Sequence, residues 1–310
     1  MQTLSEPDVL AVELPAGLRE PIAACLNGWL APNLALMQLC LNAPTADRVS
    51  QALSAVADPA NGPTESAALT ELRRLWRDQP GAFETVKRVA GLVDHAGQAS
   101  SPEAQLAACA EAFDRAVNAS AEAGVALYSL GCASLLRAAT AEVVGRMRRW
   151  GLLGAQRTAL EIGCGTGRFV AALAPELRHV TGIDISAKMI AAASEHCAAL
   201  PNVRLLRTSG RDLSFCADES LDLIYAVDSF PYIVQAGETL VRCHFEEAGR
   251  VLKPNGALLI LNYSYRGDWM RDRGEMVAMA GAAGLTLKRA ARGDFTLWDG
   301  ATFLLQREGP

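Results

Sequence analysis

The sequence is poor in the features that would mark a metal site, a secreted scaffold, a membrane span or a nucleic-acid binder. It has four histidines, His95, His179, His196 and His244, and its eight cysteines contain no Cys-x-x-Cys pair. Neither a metal centre nor a disulfide framework is expected from such a set, and the cysteines read as small buried hydrophobes in a reducing compartment. There is no long apolar run either. The most apolar stretch, residues 25–41, is interrupted by Asn27, Gly28, Pro32, Asn33 and Gln38, too polar for a bilayer. The opening MQTLSEPDVLAVELP carries acids where a secretory signal would carry lysine or arginine, so a cytoplasmic location and no membrane partner are expected. Basic excess is also missing. Residues 1–150 hold 12 Lys and Arg against 16 Asp and Glu, and residues 151–310 hold 17 against 18, which argues against a phosphate-backbone partner.

What is present falls into two grammars. The first half is written in helices. Leu30, Leu34, Met37 and Leu41 recur at helical spacing, as do Leu69, Leu72 and Trp76. Ser101-Pro102-Glu103 reads as an N-cap, a first-turn proline and an acid at the positive helix end, opening a helix to about Val117. Breakers fall at 58–63, 79–81 and 97–102, and a further helix over 133–150 leads into the second half. There, short apolar runs at 158–162, 180–183, 203–206, 221–225 and 257–261 alternate with helical stretches. That alternation predicts an α/β fold with a doubly wound parallel sheet. Runs at 285–289 and 301–306, with no helical pattern between them, add an antiparallel edge pair, seven strands in all. The expected division is a helical N-terminal domain, 1–120, and a sheet domain, 121–310.

Between the first strand and its helix stands LEIGCGTGRF, three glycines in five residues. Glycines at the carboxyl end of a parallel strand admit positive φ and close approach of a ligand to the backbone. The dinucleotide fingerprint would place a further glycine where Arg168 stands, which weakens a nicotinamide reading. Asp184 closes the second strand, 17 residues after Gly167. A carboxylate there can accept both hydroxyls of a ribose, or it can cap the next helix, a role open to Ser186 as well.

With these pieces the sequence resembles the class I S-adenosylmethionine-dependent methyltransferases, which are Rossmann-like, over roughly residues 121–307. LEIGCGTGRF is similar to the family's first motif, GIDIS to its second-strand acid, SGRDL to its adenine-side loop and HFEEAGRVLKPNGALLIL to its helix, turn and fifth strand. The family's Lys-Pro-Gly-Gly turn appears as Lys253-Pro254-Asn255-Gly256, which survives if Asn255 takes the left-handed conformation.

The resemblance implies S-adenosyl-L-methionine as cofactor and methyl transfer as the reaction. By it the amides of Gly163, Cys164, Gly165 and Gly167 surround the methionine portion and ribose, and Asp184 takes the ribose hydroxyls. Ile185 and Met189 flank the adenine, Asp212 accepts from its amine and Leu213 lies alongside. Glu161 faces the amino-acid end or caps the glycine turn, and Tyr128 covers the methionine end or packs in the core. The acceptor, a small molecule methylated on oxygen or nitrogen, is expected above the fourth and fifth strands. Ser229, Phe230, Tyr232, Tyr263, Tyr265 and Trp269 are candidates for its pocket. Asp228 is the candidate base or cation-binding carboxylate, with a loop cap as the alternative. His244 is a second candidate base, although the matching family position faces structure or solvent. Rival readings keep the cofactor but cyclise it with release of methylthioadenosine, or keep the fold as a non-catalytic binding module; RNA methylation is disfavoured by charge. For residues 1–120 a lid, a homodimerisation surface and a docking site all remain open.

Overall fold

The computed structural model describes residues 14–56, 66–93 and 100–309. The breaker at 58–63, the first half of that at 97–102 and His95 lie outside the described residues. The chain divides into two units that interleave along the sequence. The first comprises the described parts of Met1–Gly91 with Ala119–Ala138 and Thr296–Asp299. The second comprises those of Leu92–Asn118 and Gly300–Pro310, with Ala139–Phe295. A single cut near residue 120 does not reproduce this division.

The first unit contains α1 (Ala16–Leu26), α2 (Pro32–Asn42), α3 (Ala46–Ala55), α4 (Ala67–Asp78) and α5 (Ala82–Ala90). Thr45 caps α3 by accepting from the Arg48 amide at 3.3 Å, and Ser66 caps α4 through the Leu69 amide at 3.2 Å. Leu30, expected within α2, precedes it, because Pro32 starts the helix at its first turn. Ile22, Leu36, Leu39, Leu69 and Leu72 are fully buried together, each contributing roughly 1.5–3 kcal/mol. The distant segments join this unit through Asn33. Its buried amide donates to the carbonyls of Tyr128, 3.2 Å away, and Leu297, 3.0 Å away.

Beyond α6 (Pro102–Ala119), α7 (Ala121–Val125) and α8 (Ala133–Arg149), the sheet begins. Its strands are β1 (Gly154–Ile162), β2 (Leu177–Asp184), β3 (Val203–Arg207), β4 (Leu221–Val227), β5 (Leu252–Leu261), β6 (Leu285–Ala291) and β7 (Thr302–Arg307). Between them run α9 (Arg168–Leu173), α10 (Ala187–His196), α11 (Phe230–Ala236), α12 (Glu238–Val251) and α13 (Trp269–Ala282). The order is β3-β2-β1-β4-β5-β7-β6. The first five strands are parallel, and β7 runs antiparallel to both β5 and β6. The expected sheet is therefore present. Its strand order reverses between β1 and β4, the place where ligands of open α/β sheets bind. Asn255 takes φ 63°, as the Lys-Pro-Asn-Gly turn requires. No helix of the described residues is long and apolar enough to cross a membrane.

Alternation along β1 sets up the site. Leu160 and Ile162 join a core cluster with Ile224, Phe230, Phe245 and Met276. Glu161 between them points to the opposite face of the sheet, in register with Gly182 of β2 and Tyr225 of β4.

Candidate functional site

Gly163, Gly165 and Gly167 have φ of 71°, 53° and 77°. A methyl group on Gly163 would stand 2.3 Å from Ser229 Cβ, so glycine alone lets Ser229 approach. The Ser229 hydroxyl donates to the Ile162 carbonyl at 2.5 Å, tying the end of β1 to the loop after β4. The loop's amides are engaged within the fold. Those of Gly163 and Cys164 donate to the Ile183 carbonyl at 2.8 and 2.9 Å, and that of Gly167 donates to the Cys164 carbonyl at 2.9 Å. These bonds fix the shape of the turn that is expected to surround the methionine portion and ribose. A methyl group on Gly167 would likewise stand 3.0 Å from Ala193 Cβ and 3.2 Å from Cys197 Sγ, so both glycines serve close packing of the turn.

Asp184 is anchored on both oxygens. Its Oδ2 accepts from the Gly165 amide at 2.9 Å and its Oδ1 from the Ser186 amide at 2.8 Å. The helix cap is Ser186, whose hydroxyl accepts from the Met189 amide at 3.0 Å. Burial raises the Asp184 carboxyl above its ordinary range, opposed by the amides of Ser186 and Gly165. The Ile185 amide also favours the charged form of this carboxylate.

Glu161 is 2% exposed. Burial lifts its carboxyl to about 8, against the pull of the Arg168 guanidinium and of Tyr225, whose hydroxyl donates to Oε2 at 3.1 Å. The Val170 amide, in the first turn of α9, also favours the charged form. Cys164 is buried, and burial pushes its thiol up.

Ile185 and Leu213 pack in one cluster, and Met189 is buried on α10. Asp212 holds the Ser214 amide at 3.0 Å and hydroxyl at 2.6 Å, bonds that keep its carboxyl below the usual range. Tyr128 belongs to the first unit, buried on the 3-10 turn Leu127–Ser129.

The residues expected around the acceptor divide. Phe230 is buried between Tyr263, stacked at 5.6 Å, and Phe245, edge-on at 5.8 Å. Tyr263 is 1% exposed with its hydroxyl donating to Glu275 at 3.2 Å, and Trp269 stacks on Phe303 at 5.2 Å. These three serve the core of the sheet's β5–β7 side rather than a pocket. His244 is buried too, with Nδ1 2.9 Å from the Leu240 carbonyl, and burial lowers its pKa. Such an imidazole is a packed helix residue, not a base in reach of solvent.

Tyr232 and Tyr265 remain together, edge-on at 5.8 Å. The Tyr265 hydroxyl donates to the Asp228 carbonyl at 3.3 Å. Asp228 has φ 55° and accepts from Nδ2 of Asn262 at 3.1 Å, and Asn262 has φ 71°. Two left-handed non-glycine residues at the ends of neighbouring strands, joined by a side-chain bond, are a strained pair of the kind that collects at binding sites. Nothing in the sequence singles out Asn262. Its signal, an asparagine at a strand end, is legible only once β4 and β5 are known to be neighbours. Among the described residues no group of three or more metal-ligating side chains converges.

A methyltransferase-domain family model matches residues 159–256, from β1 into β5. Demethylmenaquinone methyltransferase of Tropheryma whipplei is 35% identical over 106 residues, 34% of this chain and 41% of that protein. The Staphylococcus aureus protein of the same description is 32% identical over 112 residues, 34% of this chain and 43% of its own. The chain thus spans under half the length of these curated relatives. A phosphoethanolamine N-methyltransferase of Haemonchus contortus, solved with phosphoethanolamine and S-adenosylhomocysteine, shares the fold at a TM-score of 0.56. Its sequence is 15% identical, and the match covers 68% of this chain and 50% of that one. The glycine turn, the second-strand acid and strands β2 to β4 lie within the matched segment, which marks residues 159–256 as a methyltransferase domain.

Proposed function

We propose that the protein transfers the methyl group of S-adenosylmethionine to oxygen or nitrogen of a small-molecule acceptor. The observation that carries this reading is Asp184, locked by the Gly165 and Ser186 amides at the end of β2 beside the left-handed glycine turn. The residues fit an adenosyl ligand. The carboxylate anchored at the end of β2 can accept from ribose hydroxyls, and the partly exposed Ile185 next to it offers apolar surface to a base. The cofactor supplies, when bound, a methyl group activated by the sulfonium. The chain's own residues hold and orient the reactants and exclude water. Asp228 is proposed to accept a proton or a hydrogen bond from the acceptor, with Tyr232 and Tyr265 as the aromatic wall.

The relatives' names give no single acceptor, being a demethylmenaquinone in one case and phosphoethanolamine in the other. The acceptor's class therefore rests on this chain's charge balance and on the Asp228 loop. Calorimetry with S-adenosylmethionine and S-adenosylhomocysteine tests the cofactor. Both should bind, and Asp184→Ala should lose roughly 2–4 kcal/mol through two charge-assisted hydrogen bonds. Wild-type affinity in that variant overturns the role of Asp184. The nucleoside released in an acceptor screen then decides the chemistry. S-adenosylhomocysteine marks methyl transfer, whereas methylthioadenosine marks cyclisation.

A further inference from the structure

One helix outside the segment that matches the family meets the same loops. The inner face of α6 carries Leu106, Cys109, Phe113 and Ala116, spaced three or four residues apart. Leu106 packs in the cluster that holds Leu213 and Ile185, and a methyl group on Gly210 would lie 3.4 Å from it. The Cys109 thiol, pushed up to about 12 by burial, also feels the charge of Asp184. Phe113 stands edge-on to Tyr232 at 5.0 Å. The helix thus lies over the loop after β2, the loop after β3 and the first turn of α11.

Two polar ties hold it there. Near its start, Glu103 and Arg211 form an exposed pair at 3.5 Å, which contributes little. Toward its end, Oδ1 of Asp114 accepts from the Ser186 hydroxyl at 2.5 Å and from the Lys188 amide at 3.0 Å. An anion on the first amides of α10 is favourably placed. Burial opposes the charge on Asp114, but the bonds from Ser186 and Lys188 outweigh it and keep the carboxyl below its usual range. Ser186 is the junction. Its hydroxyl donates to Asp114 and caps Met189, while its amide holds Asp184.

We propose that α6 is a cover over the cofactor site, latched by Asp114 onto Ser186 and the N-terminus of α10, and that the cofactor enters and leaves when this latch releases. The inference rests on the cofactor reading above. Asp114 is a positioning residue, acting through Ser186 rather than on the ligand. A ligand that steadies Asp184 steadies Ser186, and with it the latch.

Stopped-flow binding of S-adenosylhomocysteine to the full chain, with Asp114→Ala and Asp114→Asn, tests the latch. In Asp114→Ala both association and dissociation should quicken, by about tenfold. Asp114→Asn, which keeps an acceptor oxygen, should fall between that variant and wild type. Hydrogen exchange of the α6 amides should slow when S-adenosylhomocysteine binds wild type, and slow less in Asp114→Ala. Dissociation within twofold of wild type overturns the latch, as does α6 exchange that ignores the ligand. A rise in dissociation alone also overturns it, since ordinary support of the site would weaken binding without opening a path. Wild type that fails to bind S-adenosylhomocysteine brings down the cofactor reading itself, and the latch with it.

Discussion

The loops at the carboxyl edge of the sheet fall into two halves that follow different rules. After β1, β2 and β3, positions are set by the backbone. Three glycines sit in the left-handed region, and Asp184 is fixed by two amides. After β4 and β5, positions are set by side-chain packing, and rings that look equivalent in sequence take unrelated tasks. Phe230 and Tyr263 fill the core, while Tyr265 is 45% exposed two residues after Tyr263. On the function proposed above, the first half fits the cofactor and is constrained where the backbone itself touches it. The other half would then fit the acceptor, and its constraint is spread over side chains with other uses.

The sharpest way to break this comparison is to truncate a ring from the second half. Phe230→Ala removes a side chain packed by Tyr263 and Phe245 and should destabilise the fold by about 3–5 kcal/mol. Denaturant unfolding measures it. A loss under about 1 kcal/mol would mean that Phe230 is available to a ligand after all, and the contrast between the rings would collapse.

The next test sits on the backbone-fixed half. The Glu161 carboxyl, about 8 in the folded protein, lies above its ordinary 4.5. Between those values the folded chain holds a proton that the unfolded chain has released. Stability therefore falls as pH rises through this window, by roughly 1.4 kcal/mol per pH unit from this group where the two states differ by a full proton. Asp184, also raised by burial, adds in the same direction. Glu161→Gln should flatten the dependence between pH 5 and pH 8 by Glu161's share. Unfolding free energies at pH 5, 6.5 and 8 read it out, and an unchanged slope would place the titration elsewhere.

How much of this was legible in the sequence follows from the same division. The five parallel strands, the glycine turn and Asp184 could be read because each is local, carried by alternation or by a residue whose backbone role is written in its type. Asn255 was legible for that reason, as a residue that tolerates φ 63°. Phe230, Tyr263 and Trp269 were not, because an aromatic after a strand says nothing about which side of the loop it faces. Nor was the allegiance of α6. Its amphipathic pattern predicts burial of one face, but only Asp114 meeting Ser186, 72 residues on, shows which loops that face covers. The bridging of 296–299 to the helical unit through Asn33 was hidden for the same reason, with 264 residues between Asn33 and Leu297.

Tyr265 gives the smallest effect and the finest distinction. Its hydroxyl makes a 3.3 Å bond to the Asp228 carbonyl at the surface, and its ring meets Tyr232 edge-on. An exposed, neutral hydrogen bond contributes at most about 1 kcal/mol, because water replaces it when it is lost. Tyr265→Phe keeps the ring and should therefore shift stability by under about 0.5 kcal/mol and leave S-adenosylhomocysteine affinity within twofold. Paired melts and calorimetry on wild type and variant measure both. A stability loss above about 1 kcal/mol would put Tyr265 among the structural rings with Tyr263. A loss of cofactor affinity would show that the two halves of the edge are coupled through the Asp228 loop, since the Ser229 hydroxyl already joins that loop to Ile162 beside the glycine turn.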